Sequence, residues 1–118
     1  MDLSQVRKQI ATDISKRAML EKELINSRHK MTMGTLVERY VVCGKPGCKC
    51  TMGAKHGPFL YLYKMVDGKN IRSYINKKDI KLIKALGRYK LYQQKLAEIR
   101  GLNKEINELF NKLRDGLS

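Results

Sequence analysis

The chain has 118 residues, 42% of them hydrophobic, and carries 25 Lys and Arg against 11 Asp and Glu, a net charge of +14. That length holds one domain, or a small domain flanked by helical arms, and that hydrophobic content excludes a disordered chain. The excess is +3 over residues 1–30, +5 over 31–76 and +6 over 77–118, a field that attracts polyanions such as DNA, RNA or an anionic membrane face.

Residues 2–28 predict one helix. Leu3, Val6, Ile10, Ile14, Ala18 and Ile25 recur at steps of three, four and seven, with Leu24 beside them. Asp2 and Gln5 have the spacing of a capping box. Gly34 ends the helical pattern. Leu36–Val42 is β-branched and aromatic and reads as a strand, Pro58–Val66 as a second and Lys69–Ile75 as a third. Asp67-Gly68 between the last two is a hairpin signal. Alternation sets Phe59, Tyr61 and Tyr63 on one face, with Leu60 and Leu62 on the other.

Asn76 is placed to cap a helix from Lys77 to about Leu86, with Asp79 favouring its start and Gly87 as a candidate break. Beyond it Tyr89, Tyr92, Leu96, Ile99, Asn103, Ile106, Phe110, Leu113 and Leu117 form a seam with the spacing of a coiled coil, in which Asn103 reads as a buried amide. The fold class is therefore α+β: a small three-stranded antiparallel sheet with a zinc loop, flanked by long N- and C-terminal helices in a coiled-coil-like pair. The organisation is a helix over 1–30, a loop, sheet and basic-helix module over 31–88, and a C-terminal helix over 89–118. Pairing of the two helices within one chain and dimerisation through the C-terminal seam both satisfy the pattern.

The chain's three cysteines fall within eight residues, Cys43-Gly-Lys-Pro-Gly-Cys48-Lys-Cys50, and His56 follows. Three thiols and an imidazole are a tetrahedral Zn²⁺ set, and four protein ligands make a closed, structural site. Lys45, Lys49 and Lys55 around it would lower the thiol pKa values. Another metal, an iron–sulfur centre, or reduced thiols with no metal are the alternatives. Three clustered thiols with no fourth fit a reducing compartment better than a disulfide framework. No apolar run approaches the roughly 20 residues of a membrane span, and the N-terminus lacks a signal-peptide core, so a cytoplasmic protein is expected.

The run from Cys43 to Cys50, followed by His56-Gly-Pro-Phe-Leu-Tyr-Leu, resembles a family of small uncharacterised bacterial and archaeal proteins, described as a domain of unknown function. Its members share a CGKPxCxC…HGPYYYL signature. The likeness covers about residues 33–100, with Phe59-Leu60 where the family shows Tyr-Tyr. It implies no established activity; the neighbourhood of such proteins with mobile-element genes implies DNA by analogy only.

Lys77, Lys81, Lys84, Arg88 and Lys95 fall within about 60° of one another at helical spacing and span about 27 Å, a stripe able to track phosphates, provided Gly87 does not break the helix. Tyr61 and Tyr63 beside Lys64, Lys69 and Arg72 either stack on unpaired bases or pack as a small core on Ile80 and Ile83. These features predict a zinc-stabilised, non-enzymatic nucleic-acid-binding accessory protein, with DNA favoured over RNA, whose basic helix and loop lysines Lys45, Lys49 and Lys55 grip the backbone. The alternative is a coiled-coil adaptor that docks a larger enzyme without touching nucleic acid. No Ser-His-Asp set, glycine-rich phosphate loop or paired carboxylates near the cysteines supports an enzyme.

Overall fold

The computed structural model describes residues 2–42, 47, 53 and 55–118. The elements in order are α1 (Leu3–Ile25), β1 (Thr35–Val41), β2 (His56–Val66), β3 (Lys69–Ile75) and α2 (Ile80–Leu117). The class is α+β, as the residue patterns predict. The chain divides into two compact units, a helical one of residues 1–28 and 91–118 and a sheet-bearing one of residues 29–90. No helix among the described residues is long and apolar enough to cross a membrane.

In the helical unit, α1 opens with the predicted capping box. The Asp2 carboxylate accepts from the Gln5 amide at 2.8 Å, and the Gln5 side chain accepts from the Asp2 amide at 3.1 Å. The α2 segment pairs with α1 in the antiparallel sense. Leu3 meets Gly116, where a Cβ would collide with the leucine side chain, and Glu23 reaches Lys95 at 3.2 Å. Val6, Ile10 and Leu109 form the core cluster with Leu113 against it, and Leu20, Leu102 and Ile106 are also buried.

The buried positions correct the expected seams. On α1 the inward row is Leu3, Val6, Ile10, Asp13, Arg17, Leu20 and Leu24, a strict heptad that passes through two charged residues. Ile14, Ala18 and Ile25 lie outside it and are exposed. On α2 Leu102 and Leu109 take the places expected of Asn103 and Phe110; Asn103 is exposed, and Phe110 is 47% accessible. Leu117 is exposed as well. The observed and expected rows of α2 share Ile99, Ile106 and Leu113 and differ in taking the residue three beyond Ile99 and Ile106 rather than four beyond. Asn103 accepts instead from Arg17 at 2.8 Å on the rim of the pair.

In the sheet-bearing unit the three strands are antiparallel in the order β1-β2-β3. Asp67 and Gly68 both have positive φ (50° and 77°), the signature of the type I′ turn that matches the twist of a two-residue hairpin. The hairpin sets Val66 opposite Lys69 and Tyr61 opposite Tyr74. β2 is longer than predicted, opening at His56 opposite Val41, with a register shift between Arg39 and Val41. Gly57 sits in this stretch at φ 136°, and a Cβ there would lie 2.7 Å from the Arg39 carbonyl oxygen. Only glycine fits both the conformation and the close approach.

The start of α2 is also displaced. The Asn76 side chain accepts from the Lys78 amide at 2.9 Å, which makes a turn, and Asp79 accepts from the Leu82 amide at 3.2 Å as the cap. The helix therefore begins at Ile80, one turn after the expected Asn76 cap, and it runs unbroken through Gly87. Among the described residues of this unit, Ile75 (2% exposed), Ala85 and Leu86 (1%) are buried.

Candidate nucleic-acid interface

The two units differ sharply in charge. Residues 29–90 hold fourteen Lys and Arg against three Asp and Glu, a net +11, while residues 1–28 and 91–118 hold eleven against eight, a net +3. In the helical unit the ions are laced: Lys16 to Glu98 at 3.3 Å, Arg17 to Glu21 at 3.4 Å, and Lys95 to Glu23 at 3.2 Å. Among the described residues no Lys or Arg of the basic unit joins an ion pair.

Two surfaces of the basic unit gather cations. The first is a groove of about 570 Å³ whose lining includes Lys30, Met31, Ile80, Lys81, Lys84 and Arg88. Hydrogen bonds to backbone carbonyls hold its walls: the Thr32 amide donates to the Ala85 carbonyl at 3.2 Å, and the Arg88 guanidinium donates to the Lys30 carbonyl at 3.0 Å. Lys81, Lys84 and Arg88 recur at helical spacing, so the first turns of α2 present them on one face. An apolar floor under four cations suits a phosphate whose sugar packs on Met31 and Ile80. Lys30 is absent from the cations that sequence reasoning gathers, since only the fold brings it to residues some 50 positions away.

Lys77 and Lys95 leave the predicted stripe. Lys77 lies in the turn before α2, because Asp79 rather than Asn76 caps the helix. Lys95 belongs to the helical unit, where its position on the inward row brings it to Glu23.

The second surface is one face of the sheet. The strand register places Phe59, Tyr61 and Tyr63 of β2 with Val37 and Arg39 of β1 and with Arg72 and Tyr74 of β3. The Arg72 guanidinium stands 5.0 Å over the Tyr63 ring, and Arg39 donates to the Tyr63 hydroxyl at 3.2 Å. Tyr61 and Tyr74 meet edge to face, with centroids 5.9 Å apart. Leu60, Leu62 and the buried Ile75 occupy the opposite face. The tyrosines therefore lie on the face away from Ile75, where Phe59, Tyr61 and Tyr63 are half-buried, as Leu60 and Leu62 are on the other face. Lys64 and Lys69 also fall on the leucine side, paired with Ile71 and Val66, and so do not accompany Tyr61, Tyr63 and Arg72 as expected. Sequence reasoning misses Arg39; its parity with Tyr63 becomes readable once the β1–β2 register is known.

Of the predicted zinc ligands, Cys43, Cys48 and Cys50 lie outside the described residues, as do Lys45 and Lys49. His56 opens β2 opposite Val41, and Lys55 precedes it, exposed. Among the described residues no three His, Cys, Asp or Glu side chains gather into a metal-binding group.

A family model described as a domain of unknown function, DUF6788, matches residues 3–85. The chain belongs to this family. The match takes in all of α1, which the resemblance of the cysteine and His-Gly-Pro motifs leaves out, and ends in the second turn of α2. No curated protein and no solved structure matches the chain.

Proposed function

We propose that this protein is a non-enzymatic nucleic-acid-binding accessory protein, with DNA favoured over RNA, that it acts in the cytoplasm and that a structural zinc steadies its sheet. The observation that carries the reading is the segregation of charge, net +11 in residues 29–90 against +3 in the rest. A charged face kept only for solvation would be spread over both units and laced with acids, as the helical unit is. Cations without carboxylate partners, set in the groove of Lys30, Lys81, Lys84 and Arg88, instead suit release of counterions from a phosphate backbone.

Three thiols and one imidazole are the donor chemistry of a closed zinc site. Cys43, Cys48, Cys50 and His56 would hold the ion, which would tie the turn before β2 and supply no reaction. Lys45, Lys49 and Lys55 would then add positive charge beside the metal.

Binding of labelled duplex and single-stranded DNA and RNA, titrated across salt, tests this reading. The expected result is affinity that falls steeply with salt. The double substitution Lys81→Glu with Lys84→Glu should reduce the steepness by about 0.7–0.9 for each phosphate no longer neutralised. Absence of binding to every nucleic acid near physiological salt overturns it.

One observation favours the adaptor reading in addition. Ile14, Ile25, Phe110 and Leu117 are exposed on the helical unit, outside the inward rows. A homodimer or protein partner would use these residues, because the seam itself is occupied within the chain.

A further inference from the structure

Resting on the nucleic-acid reading, we infer that the aromatic face of the sheet is a stacking surface for the unpaired bases of a single strand. The face carries Phe59, Tyr61 and Tyr63 at alternate positions of the central strand, with Tyr74 and Arg72 beside them on β3. Alternate residues of a strand are about 6.7 Å apart, a spacing that an extended single strand can follow beside the open Tyr74 ring. Tyr74 is the ring most open to solvent, at 63% exposure, and it stands edge to face with Tyr61, which fixes its attitude. A tyrosine placed for packing would be covered by apolar neighbours; this one is presented.

The arginines complete the surface. Arg72 lies over the Tyr63 ring and Arg39 donates to the Tyr63 hydroxyl, so one central tyrosine holds a guanidinium on its face and another at its tip. Guanidinium groups on an aromatic platform supply phosphate contacts and a stacking plane of their own. Past Tyr63 the same face runs into a depression of about 790 Å³, lined among others by Met33, Thr35, Tyr63, Met65, Asn70 and Tyr89. Thr35, Met65 and Asn70 share the face of Tyr63 by register. The lining of the depression also includes Lys64 and Asp67, so a splayed base would meet apolar walls, an amide and one charge of each sign. Paired bases keep their π-faces inside the duplex, so a duplex gains nothing from this platform and binds through phosphate contacts alone.

The experiment uses the full chain, a single-stranded thymidine oligonucleotide and a duplex of equal length. The sequence contains six tyrosines and no tryptophan, so tyrosine emission reports ring stacking without interference. The single strand should quench that emission and bind more tightly than the duplex. Tyr74→Ala should weaken single-strand binding about five- to 150-fold, the range for loss of one stacked base, and leave duplex binding and the salt slope unchanged. Tyr74→Phe should retain wild-type binding. Tyr74 is exposed on an edge strand, so far-UV circular dichroism of the alanine variant should match the parent.

Equal loss on both nucleic acids, or none on either, overturns the stacking surface. If the Lys81→Glu, Lys84→Glu variant still loses binding in that case, the nucleic-acid reading stands and this one falls. If the parent binds no oligonucleotide, both fall.

Discussion

The two units of this chain treat charge in opposite ways. The helical unit brings Lys16, Arg17 and Lys95 to carboxylates and buries a row of leucine, isoleucine and valine. Among its described residues the basic unit buries Ile75, Ala85 and Leu86 and leaves Tyr40, Tyr74, Arg39, Arg72 and the lysines exposed. A unit that neutralises its charge and closes a core is built for stability. One whose described cations form no ion pair forgoes that stabilisation and keeps its field for a partner. Stability and binding should therefore be separable by mutation.

Metal removal should break the comparison most completely. If zinc holds the turn before β2, chelation in reducing buffer should unfold the sheet, since a structural zinc in a small module contributes on the order of 10 kcal/mol. The α1–α2 pair does not depend on the cysteines, so circular dichroism should lose its β component while retaining most of its helix. Nucleic-acid binding should fall with the sheet. Loss of all structure together, or no change on chelation, would count against the division of labour.

The next effect lies in the helical unit. Leu109 is buried against Val6 and Ile10. Leu109→Ala should lower stability by about 2–5 kcal/mol, seen as a lower urea midpoint. The folded variant should bind nucleic acid as the parent does, because Leu109 belongs to the core of the helical unit and the cations of the groove lie in residues 29–90. A parallel loss of affinity would mean that the two units are not independent.

Much of the fold is legible in the sequence where local chemistry decides. Asp2 with Gln5, and Asp67 with Gly68, are short-range signals that the fold obeys. The inward row of α1 is hidden because Asp13 and Arg17 occupy heptad positions that hydrophobic periodicity passes over. The seam of α2 reads one residue out of place, as Phe110 and Leu109 both satisfy a step of three or four. The sorting of the cations depends on long-range geometry: Lys95 meets a carboxylate 72 positions away, and Lys30 joins a groove with Arg88. Proximity in sequence groups Lys64 and Lys69 with the tyrosines, whereas their parity on the strands assigns them to the other face.

The smallest expected effect concerns the one acid inside the helical seam. Asp13 is only 4% exposed; its Oδ1 accepts from the Gln9 side chain at 2.8 Å, and its Oδ2 has no hydrogen-bond partner other than the neighbouring Glu105 carboxyl when that is protonated. The hydrogen bond that a protonated Glu105 makes to Asp13, and then the charge of Asp13, hold the Glu105 pKa above the ordinary carboxylate value; Glu108 adds to the rise and Lys16 opposes it. A carboxyl group with a raised folded-state pKa binds its proton more tightly when folded. Its contribution to stability is complete below the ordinary carboxylate pKa and is lost as pH rises through the raised one. The Glu105 charge beside Asp13 therefore costs more stability as pH rises. Glu105→Gln, and separately Asp13→Asn, should raise the melting temperature at pH 7, and that gain over the parent should shrink on acidification to pH 4. Because the comparison is with the parent at each pH, titration of the other carboxylates cancels. Identical pH profiles for parent and variants would show that Asp13 does not raise the Glu105 pKa. The salt slope of nucleic-acid binding should be the same in all three proteins, since neither acid belongs to the basic unit.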